Sequence, residues 1–337
     1  MTLFVYRLSL EQLKLAIAEL EAIIKGERIS LKRSERIGEF LLTELPDDDA
    51  KLVAERAALV KEYGRLIAII PITSLQEVVN EILRLVPCVG KVESARAVHA
   101  REAKELFSAL VSRRAINRGC GIKVALVDGV ALLYEFRKMG REARFGARAP
   151  HKRPTYLPGT MTPWLARVFV NLAAVSTRLH EVVLDPFCGV GGFALEAGSQ
   201  GVNVICGDID SRMVLGAQNN IVGYRIDSLA DVARWDASLL PLRSSSVDGI
   251  ATDPPYGRMS FPQRFGLSEL LLRFIDEGLN VVRNGRRIVF AVPMTIDGVV
   301  RDKVESLMRR GVCRVVERVT QFVHSSLTRI IYVVEKG

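Results

Sequence analysis

Apolar and polar residues follow different rhythms in different parts of the chain. Leu3-Phe4-Val5-Tyr6 reads as a short strand, and apolar residues recur at helical spacing from Leu10 to Ile24. Arg28 to Leu45 carries apolar positions that fit strand segments. Pro46-Asp47-Asp48-Asp49 marks a helix start, because Asp side chains accept hydrogen bonds from the unpaired amides of a first turn. The pattern carries this helix to about Tyr63, ends it at Gly64 and predicts a closing strand over Arg65 to Ile70. Further on, Ser74 opens a helix containing Val78, Val79, Ile82 and Leu83, and Val98 to Ser112 reads as another. Two apolar runs, Ile122 to Val127 and Val130 to Phe136, flank Asp128-Gly129, a pair suited to a tight hairpin.

The rhythm breaks over 138–160, where Lys138, Arg141, Arg144, Arg148, Lys152 and Arg153 lie among Gly, Ala and Pro. That composition predicts a basic linker able to touch phosphates. Strands and helices then alternate: strands at 182–184, 202–206, 247–252 and 287–292, and helices at 192–199, 211–220, 268–282 and 298–310. Such alternation predicts a parallel sheet. Two last strands, 312–320 and 328–334, have no helix between them and predict an antiparallel edge pair. The expected organisation is an α/β unit at 1–70, a second at 71–145, a basic linker at 146–160 and a βαβ domain at 161–337.

Composition changes this picture in three ways. A net charge of +9 suggests a polyanionic partner, since cations that neutralise phosphates release condensed counterions. No apolar run approaches the ~20 residues of a membrane span, and Met1 to Glu11 lacks the order of a signal peptide, so a cytoplasmic protein is expected. Cys88, Cys120, Cys188, Cys206 and Cys313 form no C-x-x-C pair, which argues against a zinc site and a disulfide framework and predicts buried free thiols. No metal site and no obligate protein partner are expected.

Two stretches carry candidate chemistry. The first, Asp185-Pro186-Phe187-Cys188-Gly189-Val190-Gly191-Gly192, follows a strand and opens a helix, the place where open α/β sheets bind ligands. Its glycines let backbone approach a ligand closely, yet their spacing does not fit the G-x-G-x-x-G of dinucleotide sites. Asp208 ends the next strand, where an acid accepts hydrogen bonds from ribose hydroxyls. Asp236, beyond a poorly marked third strand, is placed to hold an adenine amino group. Cys188 lies inside the loop with no base beside it and is not expected to be a nucleophile.

The second stretch, Asp253-Pro254-Pro255-Tyr256-Gly257, follows the fourth strand directly. An amino group conjugated to a ring becomes a nucleophile only when its lone pair is freed. A carboxylate at Asp253 and a carbonyl at Pro254, both accepting its N–H groups, favour that change. Prolines fix φ and remove N–H donors, Tyr256 suits stacking on an extruded base, and Gly257 permits close approach.

At these residues the chain resembles class I methyltransferases that modify amino nitrogen. Arg153-Pro154-Thr155-Tyr156-Leu157-Pro158-Gly159-Thr160-Met161, with the two stretches above, is similar to the archaeal tRNA (guanine-10) N2-methyltransferase family. The resemblance implies an α/β fold: a Rossmann-like methyltransferase domain preceded by a ferredoxin-like and THUMP RNA-binding region. It implies S-adenosylmethionine as cofactor and tRNA as partner, with 1–145 gripping the RNA and 155–337 transferring one or two methyl groups to guanosine 10. Expected cofactor contacts are Asp185, Phe187, Gly189, Gly191, Asp208, Ile209, Asp236, Ala237 and Asp253. Expected catalytic residues are Asp253, Pro254, Pro255 and Tyr256; expected RNA contacts are Arg141, Arg144, Arg148, Lys152 and Arg153. Another RNA, DNA or protein-glutamine amino group is the alternative substrate, and a non-catalytic tRNA-binding protein is a third reading. His324, Arg329 and the loop 258–268 match no motif.

Overall fold

A computed structural model describes residues 2–95, 99–256, 266–325 and 327–337. By its contacts the chain divides into two compact units. The first holds residues 1–17, 29–55 and 59–140; the second holds 141–337 together with 18–28 and 56–58.

The first unit contains β1 (Thr2–Leu8), the start of α1 (Leu13–Gly26), β2 (Ser34–Ile37), β3 (Phe40–Leu45), α2 (Asp47–Arg56) and β4 (Val60–Pro71). It continues with α3 (Leu75–Leu85), β5 (Lys91–Ser94), α4 (Ala100–Ser112), β6 (Ile122–Val127), β7 (Val130–Glu135) and β8 (Arg137–Lys138). One sheet runs through it in the order β2-β3-β1-β4-β7-β6-β5. The first four strands and two helices give the β-α-β-β-α-β order and strand arrangement of a ferredoxin-like unit. Asp128 and Gly129 both take positive φ between β6 and β7, as a two-residue hairpin turn requires. The Ser74 hydroxyl accepts from the Glu77 amide at 3.2 Å and caps α3.

Two expectations are corrected here. The helix that starts at Asp47 ends at Arg56, and Gly64 lies inside β4. A Cβ at Gly64 would sit 1.4 Å from the Glu135 carbonyl oxygen, so glycine answers to a close strand approach, not to a helix stop. The cysteines also divide differently. Cys88 and Cys120 are bridged, because the Gly90 amide bonds to the Ile122 carbonyl and Val89 pairs with Ile116, bringing the two loops side by side. Cys188, Cys206 and Cys313 are free and buried.

The second unit contains α5 (Arg141–Phe145), α6 (Pro163–Leu172), β9 (Val182–Asp185), α7 (Gly192–Gly198), β10 (Asn203–Asp208), α8 (Ser211–Gly223) and β11 (Ala230–Arg234). Then come β12 (Val247–Thr252), α9 (Leu267–Val281), β13 (Val282–Pro293), α10 (Asp297–Arg309), β14 (Cys313–His324) and β15 (Leu327–Lys336). Its sheet runs β11-β10-β9-β12-β13-β15-β14, parallel up to β13 and antiparallel at β15 and β14. The order reverses between β9 and β12, and ligands in such sheets bind beyond the carboxyl ends of strands at that point. Phe274, Phe290 and Tyr332 build the core beneath, with ring centroids 5.7 and 5.4 Å apart.

Candidate active site

Three acids close three neighbouring strands. Asp185 ends β9, Asp208 ends β10 and Asp253 follows β12. Thr252 is fully buried and its hydroxyl donates to Asp185 Oδ1 at 2.6 Å, tying the loop after β9 to the strand that carries Asp253. The Phe187 amide donates to the same oxygen at 3.3 Å. Asp185 Oδ2 is buried and accepts no hydrogen bond among the described residues. Burial, with Asp208 and Asp253 nearby as like charges, pushes the Asp185 carboxyl up to about 7.

Asp208 anchors the glycine loop. Its carboxylate accepts the Gly189 amide at 3.0 Å and the Asp210 amide at 3.0 Å, while burial raises its pKa. Gly189 takes a φ of +50°, and a Cβ there would meet nothing within 4 Å. The loop is therefore open at that residue, as a ligand cradle requires. Gly191 caps α7, and the Phe187 ring packs edge-on against Phe274 at 5.2 Å. Ile209 is more than half exposed beside Asp208. Asp236 accepts from the Ser238 amide and hydroxyl at 2.8 and 2.7 Å, and Ala237 is buried beside it. Cys188 faces Cys206; their hydrogen bond and burial raise its thiol well above the ordinary value, which leaves it protonated and unreactive.

Asp253, Pro254, Pro255 and Tyr256 leave β12 together. The Tyr256 hydroxyl donates to Asp253 Oδ1, and burial holds that phenol protonated. Arg329 of β15, a residue without a motif, donates to Asp253 Oδ2 at 3.1 Å. Burial raises the Asp253 carboxyl, and Arg329 acts against that rise. Gly257 lies outside the described residues, as do positions 258–265 of the loop noted above. Three buried or half-buried carboxylates at adjacent strand ends, one with an oxygen that has no partner among the described residues, suit a cationic small molecule.

The segment before α6 is more ordered than its composition suggests. Thr155 is held by Asn220, whose amide nitrogen donates to the Thr155 and Val190 carbonyls at 3.0 and 2.8 Å, so this segment packs on the glycine loop. Arg148 donates to the buried Glu196 at 2.6 Å, and Arg153 is buried with its Nε donating to the Arg148 carbonyl at 3.0 Å. Arg144 donates to the Ala57 carbonyl at 2.8 Å. Arg141 opens α5, and Lys152 is exposed. No helix among the described residues is long and apolar enough to cross a membrane, and they contain no cluster of three or more His, Cys, Asp or Glu side chains arranged to hold a metal ion.

Comparison with known proteins agrees with this geometry. Residues 150–330 match the family described as UPF0020, RMKL-like, methyltransferase domain. The chain is 31% identical to the tRNA (guanine(10)-N2)-dimethyltransferase of Methanothermobacter thermautotrophicus, over 98% of each chain. It is 30% identical to the protein of that name from Pyrococcus abyssi, over 84% of this chain and 86% of that one. The crystal structure of TrmN from Thermus thermophilus superposes with a TM-score of 0.54 at 19% identity, covering 99% of this chain and 100% of that chain.

Proposed function

Because the chain belongs to the tRNA (guanine(10)-N2)-dimethyltransferase family, we propose that it methylates the exocyclic N2 of guanosine 10 in tRNA with S-adenosylmethionine as donor. The observation that carries this reading is the placement of Asp253-Pro254-Pro255-Tyr256 at the end of β12, joined through Thr252 to the loop after β9. Methyl-donor and amino-group sites then adjoin at the point where strand order reverses.

The acidic strand ends fit the cofactor. When bound, S-adenosylmethionine supplies an electrophilic methyl group on a positively charged sulfur. Asp185 Oδ2, buried without a partner, would pair with its amino group, and the open backbone at Gly189 would lie against it. Asp208 would hold the ribose and Ile209 would cover the adenine, with Phe187, Gly191, Asp236 and Ala237 completing the pocket.

On the substrate side, the Asp253 carboxylate accepts one N–H of the guanine amino group and the Pro254 carbonyl the other. The nitrogen lone pair is thereby freed from the ring, and Asp253 takes up the proton that nitrogen loses. Acceptors aimed at charge that develops only in the transition state lower the barrier more than those that bind the ground state. Tyr256 would stack on the extruded base and Pro255 would keep the loop rigid. The first unit would hold the RNA, and in the segment before α6 the exposed Lys152 would touch its backbone, with Arg141 and Arg144 as further candidates. Arg148 and Arg153 would serve mainly to shape the segment, since Arg148 is paired with the buried Glu196 and Arg153 is itself buried.

A tRNA transcript carrying inosine at position 10 tests the proposal, because inosine is guanosine without the N2 amino group. Methyl transfer to the guanosine transcript and none to the inosine transcript is expected. Equal transfer to both would overturn the assignment of atom and position.

A further inference from the structure

Arg329 sits in β15 opposite Pro293 of β13 and Gln321 of β14. It is 6% exposed, a costly place for a guanidinium unless its charge is used. Its Nε donates to Gln321 Oε1 at 2.7 Å, and its Nη1 donates to Asp253 Oδ2 at 3.1 Å and lies 3.5 Å from the Tyr256 hydroxyl. The guanidinium is thus gripped at one end by a neutral amide and offers the other to the carboxylate. Tyr256 donates to the second carboxylate oxygen. We propose that Arg329 is the positioning residue of this site, holding the Asp253 side chain in the orientation and charge state in which it accepts an amino N–H.

The inference rests on the reading of Asp253 as acceptor given above. A carboxylate has about four lone-pair sites. Arg329 and Tyr256 take one on each oxygen, and the Asp253 side chain keeps 19% exposure, leaving the remaining sites for a substrate. A protonated Asp253 would present an O–H to the incoming amine and fail as an acceptor. Burial drives it that way, and Arg329 is the cation that opposes the drive. Among the described residues, the titratable and charged groups around Asp253 are Arg329 from β15, Tyr256 from its own loop and Asp185 from β9, which feels Asp253 as a like charge. Beside Arg329, β13 and β14 contribute Pro293 and Gln321, both uncharged. Lysine could supply the charge but not the rigid fork that spans Gln321 and Asp253.

Single-turnover methylation of a tRNA transcript, measured across pH at saturating S-adenosylmethionine, tests this. Saturation keeps Asp185 in one state in every variant. Arg329→Gln should move the acidic limb of the rate upward by about 1–3 pH units while cofactor affinity stays near that of the parent. Arg329→Lys should restore the position of the limb with a lower plateau. A limb in Arg329→Gln that coincides with the parent's would overturn the inference, because a purely structural arginine would lower rate or stability without moving it. If Arg329→Gln does not fold, Gln321→Ala carries the test. It releases only Nε, and a limb shift in the same direction of under about one unit supports the role, whereas a parental profile overturns it. Asp253→Ala separates the two levels: parental activity there would bring down the acceptor reading itself, while an inactive Asp253→Ala with an unmoved Arg329→Gln limb would bring down only the role of Arg329.

Discussion

Asp185→Asn should stabilise the free protein and weaken its hold on the cofactor. The Asp185 side chain is 1% exposed, has one oxygen without a partner and titrates at about 7 in place of its ordinary 3.8. Its folded value lies above its unfolded value, so the carboxyl favours folding when protonated. Stability is undiminished below about pH 4, falls as pH rises and reaches its full loss above about pH 7. A shift of roughly three units at ~1.4 kcal/mol per unit corresponds to ~4 kcal/mol. Asparagine keeps the acceptor for the Thr252 hydroxyl and the Phe187 amide but carries no charge. It leaves a buried NH2 group, with its two N–H donors, without a partner among the described residues, at ~1–3 kcal/mol for the group. The net gain at about pH 8 is therefore ~1–3 kcal/mol, and near pH 5 it vanishes or turns into a small loss. Urea unfolding followed by circular dichroism at both pH values reads the difference. Titration calorimetry reads the other half: parental affinity for S-adenosylmethionine should rise with pH up to about 7, and Asp185→Asn should bind weakly with a flat pH profile. A variant no more stable than the parent at pH 8, or one that binds cofactor normally, would refute the reasoning.

Further consequences are equally direct. Asp208→Ala removes the acceptor for the Gly189 amide as well as the proposed ribose contact, and calorimetry should find cofactor binding weakened by about 1–3 kcal/mol. Lys152→Ala should lower tRNA affinity and reduce the slope of log affinity against log salt by ~1, whereas Arg148→Ala, which removes one of the two arginines on the buried Glu196 and leaves Arg167 paired with it at 3.0 Å, should instead cost stability, about 1–3 kcal/mol. Deleting residues 1–145 should unfold the remainder, since buried Glu27 accepts from the Ser176 and Thr177 hydroxyls at 2.8 and 2.6 Å and buried Asn171 donates to Glu19 at 2.7 Å. Loss of the thermal transition in the 146–337 fragment is the expected reading, and a parental transition would contradict it.

What could be read along the chain was whatever local pattern encodes. The Asp128-Gly129 hairpin, the βαβ alternation and the antiparallel closing pair all follow from neighbours in sequence. The glycine loop and Asp253-Pro254-Pro255-Tyr256 are legible for the same reason, since each is a contiguous strand-end turn. What pairing across space decides stayed hidden. β11 (Ala-Asp-Val-Ala-Arg) is an edge strand with most of its side chains in solvent, so it carries little apolar signal. Gly64 resembles a helix stop until Glu135 is seen against it. Cys88 and Cys120 meet only because two distant loops pair. Arg329 reaches Asp253 from two strands away in the sheet, 76 positions distant in sequence, and no spacing rule points to it.

The central claim is that Asp253 sits at a site transferring methyl groups to guanine N2 in tRNA. It is tested most directly by mass spectrometry of nucleosides and RNase fragments from unmodified tRNA incubated with the protein and S-adenosylmethionine. The account predicts N2-methylated guanosine confined to the fragment containing position 10, and its reduction by on the order of a hundredfold or more with Asp253→Ala, which still binds cofactor. Methylation at another atom or position, or parental yield from Asp253→Ala, would contradict it.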